Sequence, residues 1–282
     1  DSVASRGLGD VYKRQGLYLT AFRPQARTVI EAFLRTEMGE GCALLEPAEA
    51  ARRAPELQLD GAQAVLYSPH EMRVESRTAI GLLARWLAEA HGVVFRFGEA
   101  VLEVTTPHVR TSRAVLQADR VVVCTNTELH GLFAERLAPH ALRLCQLQML
   151  RVMPEPGFRL PGSVMADLSL VRYHGYSQLP EAAPLLEQIQ REEGESLAHG
   201  IHLIVVQSAD GSLVVGDSHH YGAAPEPFAS EHVDTLILRH LRETLRLREA
   251  TVTARWVGTY PSSPDTDCLI DAPDDATRVV LV

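Results

Sequence analysis

The sequence has few cysteines, and their spacing excludes two common uses of this residue. The four cysteines, Cys42, Cys124, Cys145 and Cys268, lie far apart, and no CxxC pair is present. A zinc ribbon or a disulfide framework needs closely and regularly spaced cysteines, so we predict neither. We interpret three of these residues as small hydrophobic side chains in a reducing compartment, and we expect a cytoplasmic protein.

Positive charge is also scarce, and long apolar runs are missing. The 282 residues include 27 Lys and Arg against 36 Asp and Glu, a net charge of −9 with neutral histidines. Broad nucleic-acid binding needs a concentrated positive surface, so this class of function is excluded. The longest apolar runs, such as Val121–Cys124, have the length of a strand, whereas a membrane-spanning helix needs about 20 residues. We therefore expect no nucleic-acid partner and no transmembrane segment.

The two ends of the chain lack the pattern of complete folding units. Residues 1–15 are polar, have no helical or strand period and contain no apolar stretch of a targeting signal. We interpret them as either a non-native segment or a disordered tail, and we leave them out of the fold. The chain stops inside an apolar strand, Arg278–Val282. We therefore expect a chain that is truncated at both ends.

Residues 16–140 have the pattern of a nucleotide-binding α/β domain. The apolar spacing predicts a helix over Thr78–His91. We expect this helix to pack on a sheet formed by strands over Val93–Phe95 and Val121–Cys124, with a small antiparallel excursion between the two strands. A helix followed by apolar strands is typical of βαβ units.

Residues 141–228 predict a second, mostly antiparallel domain. The alternation over Leu144–Val152 predicts a long strand, and a short strand is predicted over Ser169–Tyr173. Ile201–Gln207 and Ser212–Gly216 predict a hairpin, because the Asp-Gly turn between them accepts the positive φ that a tight turn needs.

The remaining chain predicts one long helix and a return to the first domain. Residues 229–250 have an apolar stripe at helical spacing, and Ser230 is a suitable N-cap for it. Residues 251–282 predict further strands, which we assign to the first domain. Within the second domain, Glu181–Glu195 is highly charged and predicts a surface helix or a loop.

Several motifs with known chemistry are absent from the sequence. It contains no Gly-x-Gly-x-x-Gly after a strand, no Walker A motif and no Gly-x-Ser-x-Gly. Among the twelve histidines, the close pairs are His199 with His202 and His219 with His220. Adjacent histidines in a strand point to opposite faces, so we predict no metal site.

Two polar segments rich in aromatic residues have two open interpretations. One is Asp217–Tyr221, which follows the second strand of the predicted hairpin, and the other is Tyr173–Tyr176. Each segment is either a loop that caps a strand or a loop that contacts a substrate or the edge of a flavin.

Three segments, taken together and in this order, resemble one enzyme family. The first runs from Ser68 to Val101 and contains Ser-Pro-His-Glu-Met-Arg-Val-Glu-Ser, the predicted helix, and His-Gly-Val-Val-Phe-Arg-Phe-Gly-Glu-Ala-Val. The second, over 118–126, is Ala-Asp-Arg-Val-Val-Val-Cys-Thr-Asn, and the third, over 256–265, is Trp-Val-Gly-Thr-Tyr-Pro-Ser-Ser-Pro-Asp. They resemble FAD-dependent oxidoreductases of the D-amino-acid oxidase and glycine oxidase type. The segment Gly216–Gly222 further resembles a subgroup found with aminophosphonate catabolism.

The resemblance implies an FAD cofactor and a two-part architecture. The expected fold class is α/β (α+β), with an incomplete Rossmann-type FAD-binding domain and a mostly antiparallel-sheet substrate domain. The first βαβ unit of such a domain, with the Gly-rich turn that holds the pyrophosphate, has no counterpart in the sequence. We therefore expect the 282-residue chain to purify without tightly bound FAD.

The resemblance also implies which residues contact FAD. The backbone of Val101 matches a position at the adenine, and Cys124, Thr125 and Asn126 match a small-residue turn against the cofactor. Family members usually have Gly at that turn, so Thr125 and Asn126 depart from the pattern. Ordinary packing at the ends of strands is the alternative for all four residues.

The implied reaction is oxidation of the C–N bond of a small amine or amino acid by hydride transfer to FAD, with oxygen or an electron carrier as acceptor. Many members have an arginine before the proline of the third motif, where it clamps a carboxylate, but here Tyr260 precedes Pro261. We therefore expect a small amine other than a plain D-amino acid, with its acidic group held by Arg172 or His219. The residues expected to line the substrate cleft are Tyr173, Tyr176, His219, Tyr221 and Tyr260.

Two other functions are weighed against this one. A non-catalytic fragment or small-molecule binding module could keep the same fold without holding FAD, and the flavin absorbance of the purified protein distinguishes the two. An NAD-linked enzyme would need a Gly-rich turn that this sequence lacks.

Overall fold

A computed structural model describes residues 12–224 and 226–281 of the chain. Its residues group into two units. Unit 1 contains the described residues up to Ile80, together with Leu147–His219 and Phe228–Val257. Unit 2 contains Gly81–Gln146, the described residues of His220–Pro227, and those from Gly258 onward. Strands and helices both contribute to the chain, which confirms the mixed α/β class.

The two units do not follow the boundaries expected from the sequence, because each unit draws on three separate segments of the chain. The assignment of residues 16–140 and 251–282 to an FAD-binding domain, of 141–228 to a substrate domain and of 229–250 to a helix between them stays a prediction.

The strands of the described residues are short, apart from two that exceed ten residues. They are β1 (Tyr12–Arg14), β2 (Leu17–Ala21), β3 (Ala43–Leu45), β4 (Ala64–Ser68), β5 (Met72–Val74), β6 (Val101–Thr105), β7 (His108–Thr111), β8 (Val115–Gln117), β9 (Val121–Val123), β10 (Arg143–Pro154), β11 (Ser163–Met165), β12 (Ile204–Gln207), β13 (Leu213–Gly216), β14 (His220–Gly222), β15 (Ala250–Ser262), β16 (Leu269–Asp271) and β17 (Thr277–Leu281).

The helices range from single turns to four turns. The α-helices are α1 (Pro24–Phe33), α2 (Pro47–Arg53), α3 (Ser76–His91), α4 (Ala134–Leu137), α5 (His174–Ser177), α6 (Ala182–Glu192), α7 (Gly194–Ala198) and α8 (Glu231–Thr244). The 3₁₀ helices are Glu37–Gly39, Ala138–His140 and Asp167–Val171. No helix in the described parts of the chain is long and apolar enough to cross a lipid bilayer.

Unit 1 is built on a mostly antiparallel sheet, in which the strand order is β10-β13-β12-β11-β2-β4-β3 and β15 pairs with β10. Strands β10, β13, β12 and β11 are successive antiparallel neighbours, which confirms the prediction for Leu144–Val152 and the hairpin. Strand β2 runs parallel to β11 and antiparallel to β4. Gly211 in the hairpin turn has φ of +87°, the left-handed conformation that its turn requires.

Helix α8 covers part of this sheet. Ser230 precedes the helix, and its hydroxyl accepts a hydrogen bond from the backbone N–H of Val233, which confirms the predicted N-cap. The apolar stripe, which includes Val233, Ile237 and Leu241, is buried in one cluster with sheet residues such as Val215. Full burial of each such side chain contributes about 1.5–3 kcal/mol to stability.

The side chain of Gln148 in β10 joins the sheet to the start of helix α8. Its amide oxygen accepts from the Ser230 N–H at 2.8 Å, and its amide nitrogen donates to the Ser230 carbonyl at 2.9 Å. The same nitrogen donates to Oδ1 of Asp234 at 2.7 Å. The side-chain amide of Gln148 therefore bonds both the N–H and the C=O of Ser230, as the backbone of a paired residue does in an antiparallel sheet.

Unit 2 contains two small sheets. Strands β6, β7 and β8 form an antiparallel sheet, which agrees with the predicted excursion and adds His108–Thr111 to it. In the second sheet, β17 pairs antiparallel with β16 and parallel with β9. Its buried core includes Val123, Leu137 and Val279.

The prediction for the chain after helix α3 is wrong. Val93–Phe95 forms no strand, and Val94 and Phe97 are 81% and 79% exposed. The apolar run has no partner strand among the described residues, and a strand needs a partner for its backbone groups. Helix α3 itself forms over the predicted residues, but none of its side chains is buried, so the expected packing on a sheet is also wrong.

Two further expectations are corrected near Asp167 and at the N-terminus. The predicted strand Ser169–Tyr173 is instead largely the 3₁₀ helix Asp167–Val171, which buries Asp167 and Ser169. Its Ser169 N–H bonds the Ala166 carbonyl in the i to i+3 pattern. Of the expected tail, residues 1–11 lie outside the described residues, whereas Tyr12–Arg14 pairs as β1 with β5. Val282, the last residue of the predicted strand Arg278–Val282, also lies outside the described residues.

Candidate functional site

A buried polar cluster lies at one end of the β12–β13 hairpin in unit 1. Ile204 pairs with Gly216, so the residue before the first strand and those after the second are neighbours. His202 stands two residues before Ile204, and Asp217 and His219 directly follow the hairpin. The register of a single hairpin therefore brings together side chains that are 15 or more residues apart in sequence.

The three side chains of this cluster are close enough to interact. His202 Nε2 is 3.4 Å from Asp217 Oδ1, and His219 Nε2 is 3.6 Å from Asp217 Oδ2. Both histidines are buried, whereas the Asp217 side chain keeps 15% exposure. Asp217 Oδ1 is itself buried and has no hydrogen-bond partner among the described residues.

Two contacts fix the protonation of His202. Its Nδ1 lies 3.4 Å from the carbonyl oxygen of Gly200, which can only accept, so Nδ1 carries the hydrogen. Its Nε2 lies 2.8 Å from the hydroxyl of Tyr173, which therefore donates to it. The Nδ1 of His219 also faces the Gly200 carbonyl, at 3.0 Å. One backbone carbonyl thus orients both imidazole rings.

Burial shifts the pKa values of His202 and Asp217 in opposite directions, and in both residues it favours the neutral form. Burial, and then the charges of His219 and Arg172, lower the pKa of His202 to about 3. Burial raises the pKa of Asp217 to about 6, against the opposing charge of Arg172. Burial, and then the Asp217 charge, raise the pKa of Tyr173 to about 12. At neutral pH, His202 is therefore neutral and Asp217 is ionised.

The loop that carries Asp217 is held to strand β10. The hydroxyl of Ser218 accepts a hydrogen bond of 3.1 Å from the backbone N–H of Gln148. Ser218 is fully buried, so this contact is shielded from water. The position of Asp217 is thus fixed from both sides along the chain, by the strand before it and by the serine after it.

The structure brings together some of the predicted substrate residues in unit 1. Tyr173 and His219 belong to the cluster, and the charge of Arg172 acts on it. Tyr176 instead packs its ring 4.6 Å from the ring of Phe33, next to an apolar core. Burial raises the pKa of Tyr176, so its phenol stays neutral. The substrate-binding role of all four residues stays a prediction.

Two predicted substrate residues belong to unit 2. Tyr221 lies in β14, where it pairs with Cys145 of β10, and the guanidinium of Arg143 stands 5.3 Å from the centre of its ring. Tyr260 lies half-buried near the end of β15. Their role in binding a substrate is likewise a prediction.

The four residues expected at the cofactor also belong to unit 2. Val101 begins β6 and is partly exposed, and Cys124, Thr125 and Asn126 follow β9. Asn126 has φ of +52°, a left-handed conformation that Asn tolerates better than most residues. The Thr125 hydroxyl is buried and has no hydrogen-bond partner in the described chain. Ligands of open α/β sheets bind beyond the carboxyl ends of parallel strands, and β9 is one of these.

The sequence analysis chose neither Asp217 nor His202 as a site residue, although it considered the segment Asp217–Tyr221 as a loop that contacts a substrate or the flavin. It considered His202 only as a partner of His199, whereas the ring of His199 contacts that of His232 instead. The useful signal was the hairpin register, which predicts that residues flanking the open ends of the two strands are neighbours. Because three ligand-type atoms lie within 4.8 Å of one another, the absence of a metal site stays a prediction.

A second polar cluster lines a cleft of about 650 Å³ elsewhere in unit 1. Asp167, which lies at the cleft, is buried and accepts from Arg23 at 2.8 Å and from the Phe22 N–H at 3.2 Å. Nearby, His240 Nε2 is 2.8 Å from the Ser196 hydroxyl. This pair resembles a serine nucleophile with its base, but Ser196 is fully buried, so no substrate reaches its hydroxyl.

Comparison with known protein families identifies the class of this protein. A protein-family model described as FAD dependent oxidoreductase (DAO) matches residues 2–282. The chain therefore belongs to the DAO family of FAD-dependent oxidoreductases, whose cofactor is FAD. The buried Thr125 hydroxyl and the strand end beside it fit a cofactor contact in this chain.

Solved structures share the fold at low sequence identity. Glycine oxidase from Bacillus cereus ATCC 14579 aligns with a TM-score of 0.75 and 15% identity over 99% of this chain and 69% of that chain. Iminodiacetate oxidase from Chelativorans sp. BNC1 aligns at 0.66 and 19% identity, over 98% and 69%. The FAD-bound L-alpha-glycerophosphate oxidase from Mycoplasma pneumoniae aligns at 0.68 and 14% identity, over 96% and 68%. A search of curated proteins found no match.

Proposed function

We propose that this protein oxidises the C–N bond of a small amine or amino acid, with FAD as the hydride acceptor. The observation that carries the proposal is the polar cluster of His202, Asp217 and His219, placed on the fold of an FAD-dependent oxidoreductase. An ionised, partly exposed carboxylate among neutral donors and acceptors suits a small cationic amine, and it can accept the ammonium proton, which must leave before hydride transfer. Two of the structural neighbours, a glycine oxidase and an iminodiacetate oxidase, are named for amine substrates.

The residues of the chain have separate tasks in this proposal. FAD, when bound, supplies the acceptor for the hydride that leaves the carbon next to nitrogen. Val101, Cys124, Thr125 and Asn126 contact FAD, and the Thr125 hydroxyl gains a hydrogen-bond partner there. Tyr173 holds His202 in one tautomer, and the buried side chains of the cluster keep water from the amine. The electron acceptor is oxygen or an electron carrier.

We further propose that the substrate is an amine other than a plain D-amino acid, such as an aminophosphonate. Tyr260 precedes Pro261, and a tyrosine has no charged fork to clamp a carboxylate. The candidates that contact the substrate and its acidic group are Arg172, Tyr173, Tyr176, His219, Tyr221 and Tyr260. The resemblance of Gly216–Gly222 to the aminophosphonate-linked subgroup supports this substrate class.

The test is anaerobic reduction of the flavin in the protein supplied with excess FAD. Glycine, D-alanine, N-methylglycine, 2-aminoethylphosphonate and glycerol 3-phosphate are mixed with it one at a time, and loss of the oxidised flavin band is followed. We expect reduction by an amine, most rapidly by 2-aminoethylphosphonate or N-methylglycine. Reduction by glycerol 3-phosphate alone would overturn the proposal, and a flavin that no compound reduces would favour the binding-module alternative.

A further inference from the structure

The carboxylate of Asp217 has one oxygen that lacks a partner. Oδ1 is buried without a hydrogen bond, although its side chain retains 15% exposure. An ionised carboxylate oxygen has room for about two hydrogen bonds, and leaving it without any is unfavourable. A group that brings a positive charge to the exposed part of this carboxylate would therefore be strongly favoured.

The neighbouring side chains do not supply that donor. The hydrogen of the His202 ring is on Nδ1, where it faces Gly200, and the other nitrogen accepts from Tyr173. His202 Nε2 is thus an acceptor that faces Oδ1 at 3.4 Å. A protonated His202 would repair this contact, but burial strongly disfavours its charged form. The donor must therefore come from outside the cluster.

A metal ion and an ammonium group are the two cations of suitable size. The spacings of 3.4 and 3.6 Å resemble those of a tetrahedral metal site, in which bonds of about 2.1 Å separate ligands by about 3.4 Å. However, the Tyr173 hydroxyl already occupies the nitrogen of His202 that a metal would use. The positive charge of Arg172 also acts on the cluster and opposes a divalent cation more than a monovalent one. An ammonium group needs only the exposed part of the Asp217 carboxylate.

We propose that Asp217 is the counter-ion that binds the protonated amino group of the substrate, with His202 and His219 as positioning residues for its carboxylate. This inference rests on the proposed function, because it assigns the amine of that substrate to one side chain. The amino group approaches the 15% of the Asp217 side chain that stays exposed, since Oδ1 itself is buried. This assignment also separates the amine from its acidic group, which other residues hold.

The experiment uses two probes that differ only in the amino group. Binding of 2-aminoethylphosphonate and of ethylphosphonate to the full chain is measured by isothermal titration calorimetry in wild type, Asp217→Asn and Asp60→Asn. Asp60 is the matched control, because its side chain is 80% exposed. We expect wild type and Asp60→Asn to bind the amino compound at least tenfold more tightly, and Asp217→Asn to bind the two probes within about threefold of each other.

A second measurement follows the pH dependence of the ammonium preference. The ammonium preference of wild type should fall as the pH is lowered from 7.5 to 5, because Asp217 takes up a proton in this range. The groups that face Asp217 are His202, His219, Tyr173 and Arg172. His202 and Tyr173 stay neutral throughout. The phosphonates of the two probes also titrate in this range, so Asp217→Asn is the reference: a fall that is absent from this variant is assigned to Asp217, and a fall of equal size in it overturns the assignment.

The outcomes separate this inference from the proposed function. No ammonium preference in wild type, including no binding of either probe, overturns the inference, and so does a preference that survives in a folded Asp217→Asn. Stabilisation of wild type but not of Asp217→Asn by Zn²⁺ or Mn²⁺ alone, followed by thermal unfolding, would show a metal site and also overturn it. Flavin reduction by amines is a separate measurement, so either proposal can fail while the other stands.

Discussion

The hydroxyl of Tyr173 lies 2.8 Å from Nε2 of His202, a histidine whose side chain is almost completely buried. The second ring nitrogen of His202 donates to a backbone carbonyl, so the tyrosine is the donor that satisfies the first. This contact determines that Nε2 is the acceptor nitrogen of the imidazole. Because Nε2 lies 3.4 Å from Oδ1 of Asp217, the contact also influences the electrostatics around that carboxylate.

Replacement of Tyr173 tests that relationship. We expect Tyr173→Phe to lower the free energy of unfolding by about 1–3 kcal/mol, because it leaves a buried acceptor without its donor. The measurement is urea unfolding at neutral pH. Tyr67→Phe is the control, because its hydroxyl has no hydrogen bond to other described residues. Equal effects of the two substitutions would contradict the assigned role.

The ion pair of Asp167 with Arg23 should be important for the stability of unit 1. Asp167→Ala should cost about 3 kcal/mol in the free energy of unfolding, because it removes the buried one of two carboxylate partners of the Arg23 guanidinium and the acceptor of the Phe22 N–H. The control is Glu46→Gln, which breaks an exposed pair with Arg27 and should leave stability nearly unchanged. A small effect of Asp167→Ala in denaturant titrations would argue that the cleft rearranges around the loss.

Stability below neutral pH should depend on His240. Burial lowers the pKa of this histidine from 6.5 to about 4, so it stays neutral in the folded state while the unfolded chain takes up a proton. The stability it contributes is complete above pH 6.5 and is lost as the pH falls toward 4, by at most about 1.4 kcal/mol per pH unit. We expect His240→Gln to show a shallower decline between pH 6.5 and 5 than wild type, and His232→Gln to decline as wild type does. Parallel curves for wild type and His240→Gln would refute this.

The orphaned hydroxyl of Thr125 allows a test of the cofactor contact. Thr125→Val removes a buried hydroxyl that has no partner, so the chain without FAD should be as stable as wild type or slightly more stable. The same variant should bind FAD several-fold more weakly in equilibrium dialysis. Thr111→Val is the contrast, since that hydroxyl bonds the Ala114 carbonyl, and it should be destabilised. Unchanged FAD binding by Thr125→Val would place the cofactor elsewhere.

The substrate preference should respond to Tyr260. If Tyr260 stands where an arginine would bind a carboxylate, Tyr260→Arg should raise kcat/KM for glycine relative to 2-aminoethylphosphonate by at least tenfold, as expected for a gained charge pair. Trp256→Arg, on the same strand, adds the same charge at an exposed position and should leave the ratio unchanged. A ratio that moves equally in both variants would show a general charge effect.

Local signals predicted much of the secondary structure. Ser230 predicted the start of helix α8, and the Asp-Gly turn predicted the hairpin of β12 and β13, because each depends on a few neighbouring residues. Val93–Phe95 has an equally apolar sequence but no strand, because a strand needs a partner that local sequence does not reveal. Local patterns could not predict contacts between distant segments of unit 1, such as the pairing of β2 with β11, for the same reason.

The candidate site was predicted in part. His219 and Tyr173 were chosen because polar and aromatic residues follow apolar strands, and the structure places both in one cluster. Asp217 was considered only as part of the segment Asp217–Tyr221, and His202 only as a partner of His199, because their significance lies in burial and in mutual distance, which depend on the hairpin register. The pKa of about 6 at Asp217 arises from desolvation, a property of the folded chain that composition cannot reveal.

Gln148 makes two sets of contacts from a single position in β10. Its side-chain amide pairs with Ser230 at the start of α8, and its backbone N–H bonds the hydroxyl of Ser218 beside Asp217. A displacement of the helix terminus would therefore be passed to the loop of Asp217 through a single residue, by way of the Gln148 side chain, its backbone N–H and the Ser218 hydroxyl. Gln148 thus couples the start of α8 to a loop of the candidate site, and we expect substitutions in the two segments to be correlated.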